Sequence, residues 1–131
     1  MAGTTPVLVH NDGGAGSPLF RSDTRDPSEI FRTGFEPRGS NMDIMEHASG
    51  WSVDSGYVAT TTSQSVVAGR GGIVYTIRGA SGVDVNATFP GNPFAHELEV
   101  AVPGAVPSSQ IEGATLRDGT WVPNPNYVGG C

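Results

Sequence analysis

Hydrophobic positions along this chain come in short bursts, separated by glycine, proline and small polar residues, and that spacing predicts many brief strands with a few short helices. Residues 19–24 read as the first strand of the main domain. Asp26-Pro-Ser-Glu29 has the spacing of a capping box with Pro at the first helical position, opening a helix that closes at Gly34. A second helix is expected over residues 42–49, started by Ser40 or Asn41. Its Met42 and Met45, with Ile44 and Ala48, form an apolar stripe, and Gly50 is its C-cap. The β-branched run at residues 57–62 predicts a strand, and Ser63 caps a brief helix through Ala68. Residues 72–78 alternate as a half-buried strand should, and residues 97–102 form another. Residues 110–117 and 120–122 flank Asp118-Gly119, a hairpin signal with a type I′ turn.

Composition fits that picture. At 131 residues the chain is long enough for one domain with a real core, and its 19 Gly and 10 Pro favour strands and turns over a helical bundle. The net charge is −6 and all 7 basic residues are arginine. Such a surface is poorly suited to gathering phosphates, so strong nucleic-acid binding is not expected. The single cysteine, Cys131, allows no intramolecular disulfide. No apolar run approaches the roughly 20 residues of a membrane span, and the first residues lack the pattern of a signal peptide. No metal site is expected.

Residues 5–16 form a short apolar strand ending in His10-Asn11, followed by a glycine linker. The segment resembles the end of an intein-like Hint autoprocessing domain, where the Asn amide attacks its own carbonyl and His assists release of the downstream polypeptide. An ordinary N-terminal strand is the other reading. The expected division is a remnant and linker at 1–16 and a folded domain at 17–131.

The chemistry concentrates at Glu97-Leu98-Glu99. On a strand, residues two apart point to one side, so both carboxylates would sit close together, and their repulsion disfavours double ionisation. Such a pair suits stabilisation of a developing cation and acceptance of a proton. A solvated strand face produces the same pattern.

Upstream residues decide between these readings. Residues 19–30, Gly39-Ser-Asn with His47-Ala-Ser-Gly50, Tyr57-Val-Ala-Thr-Thr, and Glu97-Leu-Glu-Val with Val106-Pro-Ser-Ser-Gln-Ile-Glu-Gly113 together resemble the A chains of cholera toxin and heat-labile enterotoxin. These are mono-ADP-ribosyltransferases of the Arg-Ser-Glu class. The resemblance implies an α+β fold of two small antiparallel sheets packed across each other, with short flanking helices and NAD between them. It also implies that Glu99 stabilises the ribose cation formed when NAD loses nicotinamide, as in glycoside cleavage. Glu97 corresponds to the first glutamate of the arginine-specific subgroup, which orients a guanidinium and takes its proton. Arg21, with Ser22 beside it, braces the NAD ribose and phosphate through its planar fork, whereas Arg25 is structural. His47 corresponds to a helix histidine near NAD, or serves the helix dipole. Thr60 and Thr61 match the later positions of a Ser-Thr-Ser strand, where Ala59 replaces the first serine, the usual partner of the catalytic glutamate. Phe94 lies in the loop that recognises the target.

With the Hint-like segment, the resemblance implies the toxin tip of a bacterial polymorphic toxin. Its expected partners are NAD, a target protein with a reactive arginine, and a cognate immunity protein, after delivery into the cytosol of a target cell. NAD hydrolysis, modification of a nucleic-acid base, and a non-enzymatic β-rich binding module are the alternatives.

Overall fold

The computed structural model describes residues 7–10, 18–50 and 53–128. Asn11, the glycine linker and Cys131, on which the Hint and cysteine expectations turn, lie outside the described residues.

Eight strands form the scaffold: β1 (Leu8–His10), β2 (Leu19–Asp23), β3 (Tyr57–Thr61), β4 (Ile73–Ile77), β5 (Ser81–Asp84), β6 (Glu99–Pro103), β7 (Ile111–Thr115) and β8 (Trp121–Pro123). They run in the order β1-β5-β6-β3-β2-β4-β7-β8, antiparallel throughout. β2 meets β4 at five residue pairs and β3 meets β6 at five, but β2 and β3 meet only at Phe20↔Thr61. The sheet is thus two four-stranded halves joined at one point. Val58, Val100 and Val102 of one half share a buried cluster with Leu19, Tyr75, Ile77, Ile111 and Ala114 of the other. This is the expected architecture of two antiparallel sheets across one core.

The helices are α1 (Pro27–Thr33), α2 (Ile44–Ser49), α3 (Gln64–Ala68) and α4 (Val85–Thr88). α1 starts after Asp26 with Pro at its first turn and stops at Gly34, although Asp26 makes no side-chain cap. α2 begins later than the pattern predicts, because the Asp43 carboxylate accepts from Met45 N and Glu46 N at 3.0 and 3.1 Å. Met42 therefore precedes the helix, and it and Met45 are 50% and 59% exposed instead of forming a stripe. Ile44 and Ala48, one turn apart, pack on Val83, Val85 and Ala101.

β4 is buried along its whole length instead of alternating, since it is a central strand covered on both faces. The hairpin also departs from its prediction. Leu116 N donates to Thr120 O, Gly119 N donates to Leu116 O, and only Gly119 has positive φ (90°) there. A type I′ turn needs positive φ at two residues, so this is a three-residue loop of type I with a glycine bulge. β5 and α4 carry no sequence signal of their own. β5 is four residues long, and a Cβ on its Gly82 would fall 2.7 Å from Ala101 O.

Core packing sets the arginine of β2. Tyr75, paired with Arg21 across the ladder, is fully buried, meets the rings of Phe31 and Phe35 edge-on, and donates its hydroxyl to Arg25 O at 2.7 Å. Burial pushes its phenol pKa well up, so it stays a neutral donor. Phe35 in turn presents its ring to the Arg21 guanidinium at 5.2 Å.

Candidate active site

Where the two half-sheets diverge, two hollows of about 230 and 340 Å³ adjoin. Arg21 and Ala59 line both, making them one cleft. Arg21 donates from Nη1 to Ala59 O at 3.0 Å, bridging the divergent strands. Its Nε is buried without a hydrogen-bond partner, and the nearest acid, Asp23, is 4.0 Å away. Asp23 is committed elsewhere. Arg25 grips both its carboxylate oxygens, at 2.9 and 2.7 Å, and that hydrogen bonding holds the Asp23 carboxyl below the usual range. Burial lowers the pKa of Arg21, and the Asp23 charge opposes that shift. Arg21 is therefore a partly buried cation with one unused, buried donor, which an anionic oxygen would complete. Arg25 has the structural place expected of it.

Glu97 and Glu99 do not share a strand. Glu97 ends a single 3-10 turn (Ala95–Glu97), Leu98 adopts a left-handed conformation with φ 49°, and β6 begins at Glu99. The two side chains are therefore not held on one face of a shared strand, as the pattern predicts. Both carboxylates nonetheless line the smaller hollow with Arg21 and Ser22, because the turn at Leu98 swings Glu97 round to it. A non-glycine residue in that region costs about 1 kcal/mol. Thr61 offsets part of this by donating to Glu97 O at 2.7 Å while accepting from Ser63 N at 3.1 Å. Thr60 donates to Val100 O at 2.7 Å. Both hydroxyls are spent holding the backbone that carries the glutamates.

Neither threonine hydroxyl contacts the Glu99 carboxylate. His47 does: its Nε2 lies 2.6 Å from Glu99 Oε2, and its Nδ1 lies 2.7 Å from Ser55 Oγ. Ser55 Oγ also accepts from Tyr57 N at 3.0 Å, which fixes the hydroxyl beside the ring. An ionised carboxylate only accepts, so the contact with Glu99 calls for an N–H at Nε2. His47 lies in the last turn of α2, yet its ring serves Glu99.

Arg70 and Ser55 are among the cleft residues that carry no expectation from the sequence. Arg70, just beyond α3, places Nη2 3.3 Å from Glu97 Oε2. Ser55 anchors His47 from a loop. No periodic pattern marks either one; the only local hint at Arg70 is its flanking glycines, Gly69 and Gly71. Phe94 lines neither half of the cleft. It borders a separate apolar hollow with Met45, Ala48 and Phe89, and is 42% exposed. Among the described residues, no group of three or more His, Cys, Asp or Glu is placed to hold a metal, and no helix is long and apolar enough to cross a membrane.

Comparison with known proteins places the chain in a family. The heat-labile enterotoxin A chain of Escherichia coli is 32% identical over 75% of this chain and 48% of its own, so the chain spans about half the length of that relative. The structure of the Scabin toxin from Streptomyces scabies in complex with NADH superposes with a TM-score of 0.82 at 29% identity, covering 96% of this chain and 82% of that one. A guanine-specific ADP-ribosyltransferase matches with a TM-score of 0.81 at 26% identity, over 96% and 84% of the two chains. The Scabin-like family pattern covers residues 19–127, and the chain belongs to that family of ADP-ribosyltransferase toxin domains.

Proposed function

We propose that the chain transfers ADP-ribose from NAD to an arginine of a target protein. The observation that carries this reading is the convergence of Arg21, Glu99 and Glu97 on one cleft, with Glu97 already facing a guanidinium, that of Arg70. NAD fits the residues present: the unpartnered Nε of Arg21 suits an anionic phosphate oxygen. When NAD is bound, loss of its nicotinamide leaves positive charge on the ribose.

Each residue has a distinct task. Arg21 binds and orients the donor, with Ser22 beside it. Glu99 supplies the negative charge that the reacting ribose needs, held by His47 through Ser55. Thr60 and Thr61 fix the β6 backbone and its approach. Glu97 orients the incoming guanidinium and accepts its proton, since a guanidinium is otherwise protonated and a poor nucleophile. Phe94 is three residues before Glu97, and its exposed ring suits contact with the target beside the cleft.

A guanine base is the second reading for the acceptor, favoured by similarity to the guanine-specific enzyme. The net charge of −6 and the carboxylate at 97 argue for a cationic acceptor instead. The proposal extends to delivery into a target cell, with release from a Hint-like segment at Asn11. It includes an immunity protein that occludes the cleft at Arg21, Thr60 and Glu99.

The test is labelled NAD offered with small guanidino compounds, with guanosine or DNA, and with bacterial or eukaryotic lysate, the modified atom being located by mass spectrometry. Arginine labelling that is lost in Glu97→Gln while NAD hydrolysis persists is expected. Labelling of guanine alone would replace the proposed acceptor.

A further inference from the structure

Arg70 meets Glu97 inside the cleft, although nothing in the fold requires the contact. Its side chain is 50% exposed and that of Glu97 is 35% exposed. Ion pairs so open to water contribute on the order of 0–1 kcal/mol, so this contact adds little to stability. Arg38 lines the other hollow, which Glu97 does not border, and three further arginines are engaged elsewhere. Arg21 is fixed on Ala59 O and Phe35, Arg25 forks onto Asp23, and Arg117 donates to Gly71 O. Among the described residues, Arg70 is the arginine paired with the glutamate that would activate an acceptor. It sits just past the end of α3 between two glycines, with positive φ at Gly71, so its backbone is not locked into a strand or helix.

The structure assigns Arg70 a chemical role on these grounds: we propose that it is an internal acceptor, and that the enzyme ADP-ribosylates itself there in cis. This rests on the transferase reading above. In the step, the bond between the ribose anomeric carbon and the nicotinamide nitrogen breaks, and nicotinamide leaves with the bonding pair. A guanidino nitrogen of Arg70 forms the new bond to that carbon and gives its proton to Glu97. No other reactant is needed, and the product is one ADP-ribose per chain.

The experiment uses the full chain with labelled NAD and no added acceptor. Three readouts are followed: nicotinamide release, intact mass, and the modified residue by peptide mass spectrometry. The expected result is one ADP-ribose on the Arg70 peptide, formed at a rate constant independent of protein concentration. Glu99→Gln chains mixed with wild type should stay unlabelled, because the reaction is in cis. Arg70→Lys should lose the label at that position. Nicotinamide release with the chain left unmodified, or with label only at other residues, overturns the proposal but not the transferase reading. No nicotinamide release with any acceptor overturns the transferase reading, and the proposal with it.

Discussion

The contact between His47 and Glu99 makes a quantitative claim that a double-mutant cycle can test. A hydrogen bond to a charged group contributes about 1.5–3 kcal/mol net. His47→Ala removes the donor at 2.6 Å from Oε2, so turnover should fall roughly tenfold to a hundredfold at 1.4 kcal/mol per decade. Ala59 pairs with Ala101 and Thr61 pairs with Glu99, so residue 59 projects to the same side as Glu99, one diagonal step along the ladder. Ala59→Ser then places a hydroxyl within reach of the carboxylate. His47 engages Oε2, which leaves Oε1 as the approach for that hydroxyl. Alone, Ala59→Ser should change kcat only by a small factor. Combined with His47→Ala, it should recover most of the lost turnover, giving a coupling of about 1 kcal/mol or more. The assay is nicotinamide release under saturating NAD, with melting temperature followed for all four proteins. A purely additive cycle would refute the idea that His47 stands in for the missing serine. So would a loss in His47→Ala that tracks its melting temperature alone.

Glu99→Gln keeps shape and still accepts from His47, so stability should hold within about 1 kcal/mol while turnover falls on the order of a hundredfold or more. Near-normal nicotinamide release by that variant would displace Glu99 from the reaction. Arg21→Lys keeps the charge but loses the fork and the orphaned Nε, so calorimetric titration should show weaker NAD binding, and unchanged affinity would return Arg21 to a structural role. Asp23 has a folded pKa held below its ordinary 3.8 by Arg25, so its stabilising contribution is complete above that value and is lost as pH falls through the lower folded one. The difference in melting temperature between wild type and Asp23→Asn should therefore be constant from neutral pH to about 5 and shrink below about 4; a gap that persists into acid would show that the fork adds nothing.

Most strands are legible in the sequence because their β-branched and alternating residues also build the core, and local and global preference agree there. The failures have particular causes. The pattern puts Glu97 on a strand because Leu98 carries no mark of its left-handed backbone, which tertiary contacts impose. It puts Met42 and Met45 in a stripe because Asp43, not Ser40 or Asn41, caps the helix. Ala59 in place of serine is plain in the sequence, but the contact that Glu99 does make comes from a histidine 52 positions away, anchored by a loop serine. Arg70 reaches Glu97 across 27 positions through the folded path of β4, β5 and α4. Contacts of this kind depend on how the half-sheets meet, and no window along the chain reports that.

The single pairing of β2 with β3 gives the cleft a mechanical character. Elsewhere neighbouring strands are locked at about 4.8 Å by a ladder of backbone bonds. At this junction the ladder has one rung, and the guanidinium of Arg21 reaching Ala59 O acts as a movable second one. The same group is the proposed handle for a dinucleotide phosphate. Under that proposal the residue that closes the junction is also the one that meets the ligand. Any change that welds the junction shut with further backbone pairing would gain rigidity by removing the space in which the chemistry takes place.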